Sequence, residues 1–168
     1  SGGKDSTWQT IKCLEYGLNP LAVSWRTPGR TSVGQKNLEN LIKLGVDHID
    51  YTINPETEAK FILSSYVRFG TTGLPQHMAI FSIPLIIAVK FSIPLVVWGE
   101  NSAFEYGGTD DEKNGFVLDD AWKKNFGVTH GTTASDWVSD TLTEKELTPY
   151  FGPKDDEINR AGVSAIFL

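Results

Sequence analysis

The chain holds a single cysteine, Cys13, in 168 residues. That excludes an internal disulfide, and it excludes any paired-cysteine redox or zinc site built from this chain alone. Basic residues are short as well: 15 Lys and Arg against 21 Asp and Glu leave a formal charge of −6. Nucleic-acid surfaces and anionic membranes both need clustered cations, so neither is an expected partner. The opening residues do not read as a signal peptide, and with so little cysteine a reducing, cytoplasmic compartment is expected. One stretch, Met78 to Trp98, approaches membrane-spanning length, but it contains Lys90 and is divided by Pro84 and Pro94. A buried helix running into a buried strand is the expectation there.

What is present suits an ordinary globular domain. Apolar residues make up 40% and charged residues 21%, and the length suits one domain with a proper core. Strand-like and helix-like segments alternate. Leu21–Trp25 is a short apolar run of the central-strand type. Helical stripes follow at Leu38, Leu41 and Ile42, with Ser32 and Gln35 as a capping-box pair, and at Ala59, Ile62, Leu63 and Tyr66, with Asn54 as cap and Pro55 in the first turn. Val46–Ile53 and Pro94–Trp98 read as further strands. The alternation predicts an α/β fold with a doubly wound, mainly parallel sheet spanning residues 1–168 as one domain.

The densest chemical signal is Ser1-Gly2-Gly3-Lys4-Asp5-Ser6-Thr7. Adjacent glycines let successive N–H groups turn toward an anion, and a helix starting behind them adds the positive end of its dipole. Ser1, Ser6 and Thr7 supply hydroxyl donors and Lys4 a full charge. Asp5 repels phosphate unless a metal ion intervenes, which makes it a candidate Mg²⁺ residue. A Walker A loop needs Ser or Thr directly after its lysine, where Asp5 stands here, and the three spaced glycines of a Rossmann fingerprint are missing.

The seven residues Ser1 to Thr7 resemble the signature of the PP-loop ATP pyrophosphatases. A loop of this family hangs from a preceding strand, and this sequence begins on the loop itself; its end, Ser164 to Leu168, is apolar. The chain is therefore expected to be an internal piece of a longer protein, with the first strand of an adenine nucleotide alpha-hydrolase-like sheet missing. Further segments narrow the resemblance. Asn37-Leu38-Glu39-Asn40-Leu41 with Leu44-Gly45-Val46-Asp47-His48, and Ile93 to Asn101 with Glu105-Tyr106-Gly107-Gly108, are similar to the N-acetyl sugar amidotransferases of surface-polysaccharide biosynthesis. His130-Gly131-Thr132-Thr133 and Pro149-Tyr150-Phe151-Gly152-Pro153 extend the likeness through nearly the whole chain.

The resemblance implies a reaction. The acetamido oxygen of a nucleotide-linked N-acetyl sugar attacks the α-phosphate of ATP, pyrophosphate leaves, and ammonia then displaces AMP to give an acetamidino sugar. No glutaminase signature occurs here, so ammonia is expected from a separate glutaminase partner of a glutaminase–cyclase kind. Ser1, Gly2, Gly3, Lys4, Asp5, Ser6 and Thr7 would hold the phosphates, and Val23, Ser24 and Trp25 would flank the adenosine. Lys4, Asp5, Glu100 and Asn101 are the catalytic candidates, with Asp5 and Glu100 toward Mg²⁺. Glu105, Tyr106, His77 and Arg26 are candidates for the sugar nucleotide. Arg30 reads as a phosphate contact or an exposed loop residue, and Cys13 as a buried thiol rather than a nucleophile. Two alternatives stay open: another ammonia-using PP-loop ligase of the NAD or GMP synthetase type, and a non-catalytic nucleotide-binding module.

Overall fold

A computed structural model of the chain describes residues 2–99 and 128–167. Ser1, Glu100, Asn101, Glu105, Tyr106 and the acidic run Asp110-Asp111-Glu112 lie outside the described residues.

Helix α1 (Lys4–Glu15) begins inside the glycine motif itself. The reason is local. Ser6 Oγ accepts from Gly2 N at 3.1 Å and donates to the Gly3 carbonyl at 3.2 Å, so its hydroxyl folds back and closes the first turn. Cys13 is the buried residue of α1, whereas Ile11 is exposed.

Strand β1 (Leu21–Trp25) runs parallel to β2 (Asp47–Tyr51), in register from Leu21↔Asp47 to Trp25↔Tyr51. Parallel neighbours need a crossover, and α2 (Ser32–Ile42) provides it. The expected Ser32–Gln35 capping box is displaced by one residue. Thr31 is the cap, its Oγ1 accepting from Gly34 N at 3.1 Å, while the Gln35 side chain donates to Glu39.

Helix α3 (Pro55–Phe69) is bounded as its caps predict: Asn54 Oδ1 accepts from Glu56 N at 2.9 Å, and Gly70 closes it in the left-handed region. Its buried face is not the expected one. Thr57, Glu58, Phe61 and Ser65 point inward, and Leu63 and Tyr66 face solvent. Phe61 decides the rotation, its ring standing 5.1 Å from Trp137 and 4.9 Å from Tyr150. Ser65 tolerates burial because its hydroxyl donates to the Thr71 and Ile62 carbonyls.

The long helix α4 (Leu74–Phe91) is the axis of the molecule, packing against β1, β3 (Leu95–Trp98), α3, α5 (Glu144–Phe151) and α6 (Asp155–Ala161). It is long and apolar enough to cross a membrane by composition, yet here its apolar surface meets protein on several sides, as in a buried helix. Pro84 cannot donate to the Ile80 carbonyl one turn back. Trp98 Nε1 donates to that oxygen instead, at 3.4 Å. Pro149 poses the same problem in α5, and Thr148 Oγ1 reaches the Lys145 carbonyl at 2.9 Å.

β3 pairs in parallel with β4 (Ser164–Phe167), a strand the apolar run at the end of the sequence did not announce. One apolar cluster lies between α3, α4, α5, the short 3₁₀ turn Ala134–Trp137 and the inner face of β1–β2. A second joins α4, β3–β4 and α6. The architecture is thus mixed α/β with short parallel sheets; among the described residues the strands form two separate pairs.

Candidate functional site

Two neighbouring features carry the site. The first is the amino end of α1. Gly2 is buried with φ +80°, and a Cβ there would stand 2.7 Å from the Asn37 carbonyl carbon and the Leu38 nitrogen. The loop therefore lies directly on the backbone of α2, and only glycine permits it. Gly3 caps α1 in an extended conformation without a side-chain hydrogen bond, and the positive end of the helix dipole lies at this turn. Lys4 Nζ meets Asp5 Oδ1 at 2.6 Å, with the two side chains 90% and 53% exposed. So exposed a pair is held weakly and can yield to a stronger ligand.

The chain returns to this turn after β3. A Cβ on Gly99 would stand 3.2 Å from the Asp5 carbonyl and 2.6 Å from Gln9 Oε1. The strand end Trp98-Gly99 and the glycine motif, nearly a hundred residues apart, are brought into contact by this close approach. Of the expected phosphate residues, Gly2 to Thr7 are together at this turn.

The second feature is the carboxyl end of β1–β2. Parallel strands covered on both faces are commonly apolar throughout, and these are not. Leu21, Val23, Trp25, Ile49 and Tyr51 pack on the core, while the register sets Ala22 beside His48 and Ser24 beside Asp50 on the opposite face. Ser24 Oγ lies 3.1 Å from His48 Nε2. Arg30 grips Asp50 with two prongs, at 2.7 and 2.6 Å, and Arg26 stands 3.8 Å from the same carboxylate. The Arg30 hydrogen bond holds the Asp50 carboxyl below its usual range and raises the guanidinium further. Burial pushes the His48 imidazole below its ordinary value, with Asp50 acting the other way.

A cavity of about 250 Å³ opens here, lined by Ser24, Trp25, Thr27, Gly29, Arg30, Thr31 and Gly34. Of the three residues expected around adenosine, Ser24 and Trp25 line it, and Val23 faces the core instead, because alternation along the strand turns it inward. Arg30 is neither a free phosphate contact nor an exposed loop residue: it is the strut that ties its loop to β2. Asp50 was not singled out from sequence; the charged alternation in Asp47-His48-Ile49-Asp50-Tyr51 was the available signal.

One ring nitrogen of His77 is engaged locally. Its Nδ1 lies 2.8 Å from the Gly73 carbonyl, which only accepts, so the ring donates there and closes the first turn of α4. Burial raises the Cys13 thiol pKa, in keeping with an unreactive core residue. Asp155, Asp156 and Glu157 start α6, and His130 stacks on Phe69 at 4.7 Å.

No protein-family model matches the chain, and a search of curated proteins finds no match.

Proposed function

We propose that the chain is the ATP-binding domain of an adenylating amidotransferase that converts the acetamido group of a nucleotide-linked N-acetyl sugar to an acetamidino group. The observation that carries this reading is the meeting of Gly99 with the first turn of α1. It sets the segment resembling the sugar amidotransferases beside the motif resembling the PP-loop. Under this reading β1–β2 and β3–β4 belong to one doubly wound parallel sheet.

The roles follow from position and chemistry. The amino end of α1, with Lys4 and the Thr7 hydroxyl, suits a polyphosphate, and the Ser6 hydroxyl closes the turn that shapes it. The cavity at the end of β1 takes the adenosine, with Ser24 and Trp25 as walls. Asp5 and Glu100 would hold Mg²⁺, which would neutralise phosphate charge during transfer. Asn101, Glu105, Tyr106, Arg26 and His77 remain candidates for the sugar nucleotide. Ammonia comes from a separate glutaminase, and the compartment is the cytoplasm.

The deciding experiment incubates the full-length protein with ATP, Mg²⁺, ammonium ion and a panel of UDP- and CMP-linked N-acetyl sugars. AMP release should depend on one sugar, and that sugar should lose about one mass unit as NH replaces O. AMP release with nicotinate adenine dinucleotide or xanthosine monophosphate would move the chain to the NAD or GMP synthetase type. ATP binding with no AMP under any condition would mark a non-catalytic module. Full AMP release by Lys4→Ala or Asp5→Ala would remove the role given to the loop.

A further inference from the structure

Ser24 is 6% exposed and lines the cavity at the end of β1. Its hydroxyl stands 3.1 Å from His48 Nε2 on the neighbouring strand. Asp50, which the register sets directly beside Ser24, is committed elsewhere, because Arg30 takes both of its carboxylate oxygens at 2.7 and 2.6 Å. His48 is therefore the group on this face that can fix the Ser24 hydroxyl. The ring is not part of the cavity lining, so it acts there through Ser24.

The pairing matters because a free hydroxyl cannot discriminate. It rotates to donate or to accept as its ligand requires. A hydroxyl whose proton is held by a fixed acceptor can only accept from a ligand. A neutral imidazole with its proton on Nδ1 is such an acceptor, and burial, which lowers the His48 pKa, favours the neutral ring. The exposed residues of the lining complement this. Thr27 Oγ1 accepts from Gly29 N at 3.2 Å and Thr31 Oγ1 from Gly34 N at 3.1 Å, which leaves each hydroxyl its proton to donate. One buried acceptor with donors nearer the surface matches adenine, which carries a donating 6-amino group beside accepting ring nitrogens. A 6-oxo purine mismatches it, since its oxygen would meet the Ser24 lone pairs.

We propose that the Ser24–His48 pair selects the base: His48 Nε2 accepts from the Ser24 hydroxyl, and the Ser24 oxygen accepts from the 6-amino group of an adenine nucleotide. Ser24 touches the base, and His48 is its positioning residue. The proposal rests on the reading of that cavity as the nucleotide pocket.

The test uses the full-length protein and the non-hydrolysable imido analogues of ATP and ITP, whose bases carry a 6-amino and a 6-oxo group. The readout is the ratio of the two Kd values, because a variant that merely loosens the pocket weakens both analogues alike. The parent should prefer the ATP analogue by about tenfold or more, the scale of one hydrogen bond made against one acceptor left unsatisfied. Ser24→Ala removes the hydroxyl with little change of volume, and His48→Phe keeps an aromatic ring without the acceptor. Each should shrink the preference to about threefold or less, and the double variant should shrink it no further. His48→Gln, whose amide oxygen can take the place of Nε2, should keep most of it. A parent with no preference, a parent that prefers the ITP analogue, or a preference that survives both Ser24→Ala and His48→Phe would overturn base selection while leaving the nucleotide pocket in place. ¹⁵N spectra of the imidazole need no nucleotide: Nε2 should be unprotonated, and a proton found there at neutral pH would overturn the proposed hydrogen bond. A parent that binds neither analogue would overturn the pocket reading and base selection with it, while the ¹⁵N result still reports whether His48 holds Ser24.

Discussion

Trp98 Nε1 donates to the Ile80 carbonyl, the oxygen that Pro84 leaves without its helical partner. The bond fastens the end of β3, and with it Gly99 at the candidate site, to the middle of α4. Trp98→Phe should destabilise the fold by about 1–2 kcal/mol, because a part-buried acceptor loses its donor. Pro84→Ala restores a backbone N–H to Ile80, so in that background Trp98→Phe should cost less. Urea unfolding of the four proteins of this cycle gives the coupling, and strict additivity would contradict the link.

The Arg30–Asp50 fork holds the loop that roofs the cavity to β2. Both side chains are mostly buried, at 13% and 23% exposure, so Asp50→Asn should cost about 2 kcal/mol at neutral pH. The native Asp50 pKa lies below its ordinary value. The stabilisation is therefore complete above about pH 4 and disappears as the pH falls through the lower native value. Unfolding curves of parent and variant should be well separated at pH 7 and converge toward pH 2. A constant gap across that range would show that Asp50 acts through shape rather than charge.

On α3 the two faces make opposite predictions. Phe61→Leu removes the ring that meets Trp137 and Tyr150 in a site with no exposure and should cost about 2–3 kcal/mol. Leu63, 62% exposed, should tolerate alanine within about 0.5 kcal/mol. Thermal unfolding decides it; a larger loss for Leu63→Ala would restore the apolar stripe as the buried face.

That contrast shows which parts of the fold were legible. Caps are local, so Asn54 and Pro55 placed the start of α3 correctly, and Leu21–Trp25 stood out as a compact apolar run before Arg26. The face of α3 was not local. Ile62, Leu63 and Tyr66 form a true apolar stripe, but Phe61 and the small polar residues Thr57 and Ser65 fit the partners that α4 and α5 bring. β4 was unreadable alone because its pairing with β3 spans much of the chain. At the site, the glycine motif was visible as a motif. Asp50 was not, since its meaning depends on the register that sets it beside Ser24 and on Arg30 reaching across from the loop.

Gly2 and Gly99 both admit a close approach, but of different kinds. A methyl at Gly2 would press on the α2 backbone at 2.7 Å and require φ +80° of an L-residue. At Gly99 the tightest neighbour is the tip of the Gln9 side chain, which can move, with the Asp5 carbonyl at a more tolerable 3.2 Å. Gly2→Ala should therefore lift the loop off α2 and weaken ATP binding about tenfold or more, a loss on the scale of one strained backbone position. Gly99→Ala should weaken it by about threefold or less, since its tightest neighbour is a movable side chain and no positive φ is required of the new residue. Calorimetric titration with a non-hydrolysable ATP analogue ranks the two, and the reverse order would contradict the packing of the loop on α2.

Ser24 and His48 give the site its own pH signature. Burial lowers the His48 pKa, so the native state resists protonation more than the unfolded chain does. The sign follows: the contribution is full above about pH 6.5, the ordinary histidine value, and is lost as the pH falls through the lower native one. His48 should titrate below pH 6.5 in ¹H–¹⁵N spectra, with the Ser24 hydroxyl facing its Nε2 in the neutral form. Stability of the parent should fall more steeply between pH 7 and pH 5 than that of His48→Gln. Asp50→Asn should shift the His48 midpoint lower still, because Asp50 is the anion that favours the imidazolium. A midpoint at or above the ordinary value in the parent, or an upward shift in Asp50→Asn, would show that His48 is more open to solvent than its place beside Ser24 requires.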